Sequence, residues 1–597
     1  MKFRFASALL LLISINLTFS QGGWSKITDP LNAVSQYTTI FPYVGASFID
    51  LNNDNLIDLH AAPQKLFLNQ GNGRYISISG FSYTLLNATA GSSWADLDND
   101  GDNDCVIAGT PSRVYLNNGT GVFSNGTPFF PGLSTYGSWG NSIGDFNENR
   151  VLDMVFAHAN GYHPGSNPEP CRFYYQTDSV FGTFQQVTGY PFLQQLSSYT
   201  NPFWSDYDLD GDMDLFIASG PAGSPALDYC YRNMKIETGN DTLIRMTTEL
   251  FAQQTQDGQC YNFIDYDNDG DFDLCLTNYY SVSTRLYQNN GGVYSIVTTP
   301  FSFAATNIAN CWGDYDNDGD LDVIITNDNA VTRYYRNDAG IFTYLPNGLT
   351  TPTATNGVSN ADYDNDGDLD VFFNGVGNNG NTSSVGLYKN DTVAGSRNWV
   401  NIKLTGTISN RSAIGALIKI KAVINGSPVW QLREVNAQNS FQGQNDLRVH
   451  CGFGDAALID SIIIKWPKGM TEVYTNVNVN KFYNVTEGQG LAEIVLGITQ
   501  ISTEIPASFS LLQNYPNPFN PSTRIRFSIS GTVSNHPVSK LTVYDALGRQ
   551  IDILIEKELN PGTYESEWNA SGYPSGIYFY TLSSGKFTET KKMILLK

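Results

Sequence analysis

Histidine is nearly missing from this 597-residue chain, with only His60, His158, His163, His450 and His536. No H-E-x-x-H helix and no nucleophile motif accompanies them, so nothing marks a zinc hydrolase or an acyl-transfer enzyme. Basic side chains are also scarce: 34 Lys and Arg stand against 57 Asp and Glu, a formal charge of −23. That balance argues against nucleic acid as a partner, because phosphate binding needs clustered cations. Beyond the N-terminus no apolar run approaches 18 residues, so no transmembrane segment is expected. Seven cysteines in so long a chain are too few for a disulfide scaffold. Cys105 and Cys275 follow acidic loops and Cys260 and Cys311 precede them, as small core residues would. Cys171 and Cys230 are candidates to pair.

What the chain has is one acidic loop, D-x-[DN]-x-[DN]-x-x-x-D, seven times over, with first residues 46 to 61 positions apart. Counting positions 1, 3, 5, 7 and 9, the loops read Asp50, Asn52, Asp54, Leu56, Asp58; Asp96, Asp98, Asp100, Asp102, Asp104; and Asp145, Asn147, Asn149, Val151, Asp153. They continue as Asp206, Asp208, Asp210, Asp212, Asp214; Asp265, Asp267, Asp269, Asp271, Asp273; Asp314, Asp316, Asp318, Asp320, Asp322; and Asp362, Asp364, Asp366, Asp368, Asp370. A hard cation the size of calcium takes six to eight oxygens, and side chains at positions 1, 3, 5 and 9 with the carbonyl of position 7 can surround it. Glycine at position 6 (Gly101, Gly211, Gly270, Gly319, Gly367) permits the sharp turn, and Asn55 can also enter the left-handed region. Histidine and cysteine are absent from the ligand positions, which argues against zinc and copper. The sequence therefore predicts about five to seven Ca²⁺ sites. The loop at 145–153, with Asn147, Asn149 and Arg150, is expected to bind weakly or to hold its turn without metal.

Each loop sits inside a longer repeat. A short apolar run precedes it, a β-rich run such as Asp322-Val-Ile-Ile-Thr326 follows, and two more strands frame a turn such as Leu286-Tyr-Gln-Asn-Asn-Gly-Gly. Four short strands per unit describe a propeller blade. The seventh repeat lacks its fourth strand after Leu387-Tyr-Lys-Asn390. Gly23-Trp24-Ser-Lys-Ile27-Thr28 matches the fourth-strand pattern Gly182-Thr-Phe184-Gln-Gln-Val187-Thr188, so the N-terminal strand is expected to complete the last blade and leave no open edge. Over residues 23–390 the chain resembles the FG-GAP, or VCBS, repeats of integrin α-subunits and bacterial surface proteins. The resemblance implies a seven-bladed β-propeller with calcium in its loops.

Three further segments follow from their own residues. Lys2 and Arg4 before the apolar run Ala6 to Leu17, with Thr18 and Ser20, predict a signal peptide over 1–20. Asn398-Trp399, Ser409-Asn-Arg411, Arg433-Glu434-Val435, Gln444 to Gly454 and Trp466-Pro467-Lys-Gly469 resemble the ASPIC/UnbV domain found after such propellers in cartilage acidic protein-like chains. Arg411, Arg433 and Arg448 read better as structural ion pairs than as ligand contacts. The string Tyr515-Pro516-Asn517-Pro518-Phe519-Asn520-Pro521, then Asp545-Ala-Leu547-Gly548-Arg549, then Gly576-Ile-Tyr578-Phe-Tyr580, looks like the type A C-terminal sorting domain of type IX secretion. That likeness implies passage through the periplasm, the secretion machinery as a partner, and a product that is secreted or attached to the outer-membrane surface.

The expected architecture is all-β: signal peptide 1–20, propeller 21–392, ASPIC/UnbV domain 393–492, linker 493–506 and sorting domain 507–597. The expected function is a calcium-binding, non-catalytic adhesion-type module for an extracellular glycan or protein. The alternative is a polysaccharide lyase or glycoside hydrolase with its site on a propeller face; binding is favoured over catalysis, because nearly all the paired carboxylates that could serve such chemistry are committed to the loops. The loop carrying His158 and His163 reads first as a plain surface loop, and it and the aromatic segment Tyr190 to Trp204 are where a ligand face would be sought.

Overall fold

The computed structural model describes residues 23–596 except 64, 72, 79–90, 160–167, 179, 221–224, 347–348, 350–353, 378–379, 381, 392–396, 495–497, 503–505, 521, 531–537, 560 and 571–572. The expected signal peptide lies outside these residues. Among them, strands dominate, and the only α-helical pieces are the single turns Lys235–Thr238 and Leu250–Gln253.

Residues 24–390 form seven four-stranded antiparallel sheets. In six of them the strands follow one another in chain order, as in Ala46–Ile49, Asp58–Ala61, Lys65–Asn69 and Tyr75–Ile78. The seventh is closed from the other end of the segment: Trp24–Lys26 pairs with Gly386–Asn390, Trp24 opposite Asn390. This joins the two ends of the ring by hydrogen bonds, as the matching of Trp24 and Phe184 patterns predicts. The first strands of the sheets contact one another in a closed cycle, the strand at 357–361 touching that at 46–49. Each first strand is buried along its whole length, because it faces neighbours on both sides and the ring axis at its edge. Close approach demands small residues there: a Cβ on Gly357 would lie 2.6 Å from the Val44 carbonyl oxygen.

Residues 398–494 form two more four-stranded sheets. One holds a parallel pair, Asn398–Thr405 beside Lys481–Thr486; the other carries alternating Ile418, Ile420, Ile462 and Ile464 into a core with Trp466. That core is continuous with the ring, since Ile414 and Ala416 share one apolar cluster with Phe146, Trp204 and Met213.

The segment 438–446 leaves this domain and enters the ring axis. Gln442 accepts the Ser92 N–H at 3.2 Å, Gln444 exchanges backbone bonds with Ala46 and Phe48, and the Gln444 side chain bonds Trp94 N–H and carbonyl. Gln438 accepts from Ser93, Asn445 meets Asn360, and Phe441 is wholly buried. A Cβ on Gly45 would overlap the Gln442 carbonyl oxygen at 1.6 Å, so the plug requires glycine at that point.

The last unit comprises two four-stranded sheets around Phe527, Leu541, Trp568 and Tyr580. One of its strands is Ile498–Ser502, paired with Thr563–Ser566, so part of the segment expected as a linker belongs to a sheet. All seven cysteines are buried free thiols, Cys171 and Cys230 included; the anticipated bridge is not formed.

Candidate metal centre

Every acidic loop connects the first strand of a sheet to the second and has the same backbone. Position 6 lies in the left-handed region in all seven: Asn55 at φ 65°, Gly101 at 105°, Arg150 at 83°, Gly211 at 119°, Gly270 at 95°, Gly319 at 104° and Gly367 at 96°. So does position 4, at Asn53, Asn99, Glu148, Leu209, Asn268, Asn317 and Asn365. Asparagine tolerates that conformation better than most residues, and its presence in five loops is the sequence signal for a turn the spacing argument did not reach. These asparagines also latch neighbouring loops together. Asn53 donates to the Gly101 carbonyl at 3.0 Å, Asn268 to that of Gly319 at 3.1 Å and Asn317 to that of Gly367 at 2.9 Å.

Position 9 is a staple. Asp58, Asp104, Asp153, Asp214, Asp273, Asp322 and Asp370 are wholly buried. One oxygen accepts a third-strand N–H, from Asn69, Asn117, Gln176, Asn233, Asn289, Asn337 or Asn390, at 2.7–3.2 Å. In six loops the other accepts the N–H of position 2 at 2.8–3.4 Å. In four loops position 1 collects the N–H groups of positions 5 and 6, as Asp314 does from Asp318 and Gly319. Each such oxygen keeps a second lone pair for another partner.

The carboxylates left over converge. Single oxygens of Asp96, Asp98 and Asp104 lie within 4.8 Å of one another, as do those of Asp206, Asp208 and Asp210, of Asp265, Asp267 and Asp269, and of Asp314, Asp316 and Asp318. Buried oxygens on several have no hydrogen-bond partner: both of Asp265 and one each of Asp208, Asp214, Asp267, Asp362, Asp364 and Asp368. An unpaired buried carboxylate is costly, and a cation is the partner whose chemistry fits such an all-oxygen set. Burial first, then neighbouring carboxylates, raises these groups: Asp96 to about 7, Asp104 and Asp273 to about 9, and Asp368 to about 10. The loop at 145–153 differs. Its Asn147 and Asn149 amides both donate to the Gln176 carbonyl, so two of the five ligand positions are turned toward the sheet as donors.

The domain at 398–494 and the short segment before it cover this face, and every loop receives a cation from them. Lys403 Nζ is 3.3 Å from Asp50, Arg411 Nε 3.6 Å from Asp96 and Lys465 Nζ 3.9 Å from Asp206. Arg397 reaches Asp316 at 2.8 Å. Lys468 donates to the Glu148 carbonyl, Lys419 to that of Gly270 at 3.5 Å and Arg448 to that of Asp362 at 2.9 Å. Arg448 and Arg411 thus act as ion-pair and positioning groups, the use expected of them. Arg433 instead bonds the Leu432 carbonyl and Gln431.

The expected ligand face is corrected. Phe192, Tyr199, Phe203 and Trp204 are buried in the core, and so is His158; hydrophobic packing, not ligand contact, accounts for those aromatics. His163 lies outside the described residues.

Against known families, residues 96–156, 265–325 and 314–373 match the FG-GAP-like repeat, residues 406–492 match ASPIC and UnbV, and residues 513–596 match the secretion system C-terminal sorting domain. The chain carries FG-GAP-like repeats, an ASPIC/UnbV domain and a type IX sorting domain. The sorting domain marks it for export by type IX secretion, to be secreted or held at the cell surface. Among the described residues no helix is long and apolar enough to cross a membrane. No curated protein matches the chain. A solved structure described as a tetra-tandem repeat in the extending region of a large adhesion protein is 9% identical, over 92% of this chain and 98% of that one. Its TM-score is 0.12, which supports no argument from that likeness.

Proposed function

We propose that the FG-GAP ring is a calcium-loaded, non-catalytic binding module of adhesion type, displayed outside the cell for a glycan or protein ligand. The observation that carries the metal reading is the set of buried, unpartnered carboxylate oxygens on Asp208, Asp265, Asp267, Asp362 and Asp364, at positions 1 and 3 of three loops. Side chains at positions 1, 3, 5 and 9 and the position-7 carbonyl would hold each ion. The ion would supply the positive charge that lets these acids stay ionised while buried. The cations of the ASPIC/UnbV domain balance part of that charge and fix the domain over the loops.

Calorimetric titration of the calcium-stripped protein, with thermal melts in calcium and in EDTA, tests this. Uptake of about five to seven ions and a melting temperature raised by ten degrees or more is the expected result. An unchanged melt in EDTA and no heat of binding would reduce the loops to turns.

A further inference from the structure

The third strand of each sheet places one partly buried side chain directly before the residue whose N–H is accepted by position 9. In the first three sheets that residue is Leu or Tyr; in the other four it is Arg232, Gln288, Arg336 and Lys389. Three of these four meet the aspartate at position 3 of their own loop. Arg232 Nη2 is 2.8 Å from Asp208 Oδ2, Gln288 donates to Asp267 Oδ2 at 2.7 Å, and Lys389 donates to Asp364 Oδ2. In all three aspartates the other oxygen, Oδ1, is buried without a partner. The contact is therefore the same in the three loops, and only its charge differs.

The cations reach further than the amide does. Arg232 also meets Asp210 at 3.0 Å and Glu237 at 2.7 Å, and Lys389 meets Asp366 at 2.8 Å. A tethered positive charge thus spans positions 3 and 5 of the loops at 206–214 and 362–370. It stands there over and above the cations that the ASPIC/UnbV domain lays on every loop. Arg336 turns instead to Asp338, at 2.8 and 3.0 Å.

A divalent ion held by the free oxygens would share its carboxylates with that tethered charge and be repelled by it. In a partly buried site such repulsion is weakly screened. Orientation of the position-3 carboxylate does not distinguish the loops, because Gln288 makes the same bond without the charge. We infer that this third-strand residue sets the calcium affinity of its loop: Gln288 makes 265–273 a tight site, and Arg232 and Lys389 make 206–214 and 362–370 weak sites that fill last. The inference rests on the calcium reading of the loops and adds to it an order of filling. When calcium is withdrawn, Arg232 and Lys389 supply part of the missing positive charge, so their two loops lose least.

Calorimetric titration of the whole, calcium-stripped protein tests this, first unaltered and then with the residues exchanged. The unaltered protein should show at least two classes of site. Lys389→Gln, which copies Gln288, should tighten one weak site about ten-fold and lower the melting temperature in EDTA by removing the compensating charge. Gln288→Lys should weaken one tight site by a similar factor, with both variants melting like the parent in saturating calcium. A single class of equal sites in the unaltered protein, or affinities that neither exchange moves, would overturn the inference and leave the calcium reading standing. Weaker binding in Lys389→Gln would also overturn it, by making Lys389 a group that orients Asp364 toward the ion. No uptake of calcium by the unaltered protein would defeat the calcium reading itself, and the order of filling with it.

Discussion

The loops at 145–153 and 265–273 have nearly one backbone and opposite side-chain chemistry. In both, positions 4 and 6 are left-handed: Glu148 and Arg150 in one, Asn268 and Gly270 in the other. In both, position 9 is buried and accepts a third-strand N–H, Asp153 from Gln176 and Asp273 from Asn289. Yet Asn147 and Asn149 direct their amides to a carbonyl, whereas both oxygens of Asp265 and one of Asp267 are buried without partners. The turn therefore does not need the full set of carboxylates. What the five-aspartate loops hold beyond the turn is a surplus of negative charge that the nearby cations only partly balance, and that surplus has to be accounted for by something other than backbone geometry.

The largest effect should come from separating the staple from the surplus. Asp273→Ala removes the acceptor for the N–H groups of Asn289 and Tyr266 and leaves both buried, a loss of about 2–5 kcal/mol that should persist in EDTA. Asp267→Asn leaves the staple intact; it should lower the calorimetric ion count by one and leave the EDTA melt nearly unchanged. Equal losses for the two variants in EDTA would mean that the aspartates share one structural role.

Next in size is the response of the metal-free protein to pH. Asp96, Asp104, Asp273 and Asp368 are raised to about 7, 9, 9 and 10 by burial and by their neighbours, above the aspartate value of about 3.9 in an unfolded chain. As pH rises from about 4 toward 9, the unfolded chain releases these protons before the folded one does. Folded stability then falls across that window by several kcal/mol in sum. Melts in chelator at pH 5, 7 and 9 should therefore descend. Saturating calcium should reverse the trend, since metal competes with protons for the same oxygens. A flat profile in chelator would place the surplus charge elsewhere.

The pair can also be made alike. Asn147→Asp with Asn149→Asp rebuilds the carboxylate set on a backbone that already has the right turns, and calorimetry should then count one additional ion. No gain would assign the difference to Arg150 at position 6.

Much of this arrangement was legible in the sequence, because the strands and the acidic loops are local patterns. The closing strand at Trp24 was legible for the same reason, as a copy of a pattern seen beside Phe184. The position-4 latches were half-visible: Asn53, Asn99, Asn268, Asn317 and Asn365 recur, but the partners of the first four lie in the next repeat, some 50 residues on. The axial plug was not legible. Its contacts join Gln442 and Gln444 to residues 46–94, and a polar stretch such as Gln438-Asn-Ser-Phe-Gln-Gly-Gln-Asn gives no sign that it will be buried. The bonds of Tyr43 and Tyr279 to Asp328 were hidden for a related reason, since these residues meet only once the ring closes.

The smallest effect concerns the cations laid over the loops. Lys403 sits 3.3 Å from Asp50 and is one-third exposed, so as an ion pair it contributes no more than about 1 kcal/mol. Its larger consequence is for metal uptake: an ion in the loop at 50–58 would meet a like charge beside its first ligand. Lys403→Ala should then leave the melting temperature in calcium within a few degrees and tighten calcium binding at that loop several-fold, read from competition calorimetry. Weaker binding in the variant would mean that Lys403 orients Asp50 toward the ion, and the domain above the loops would be part of the site rather than its counterweight.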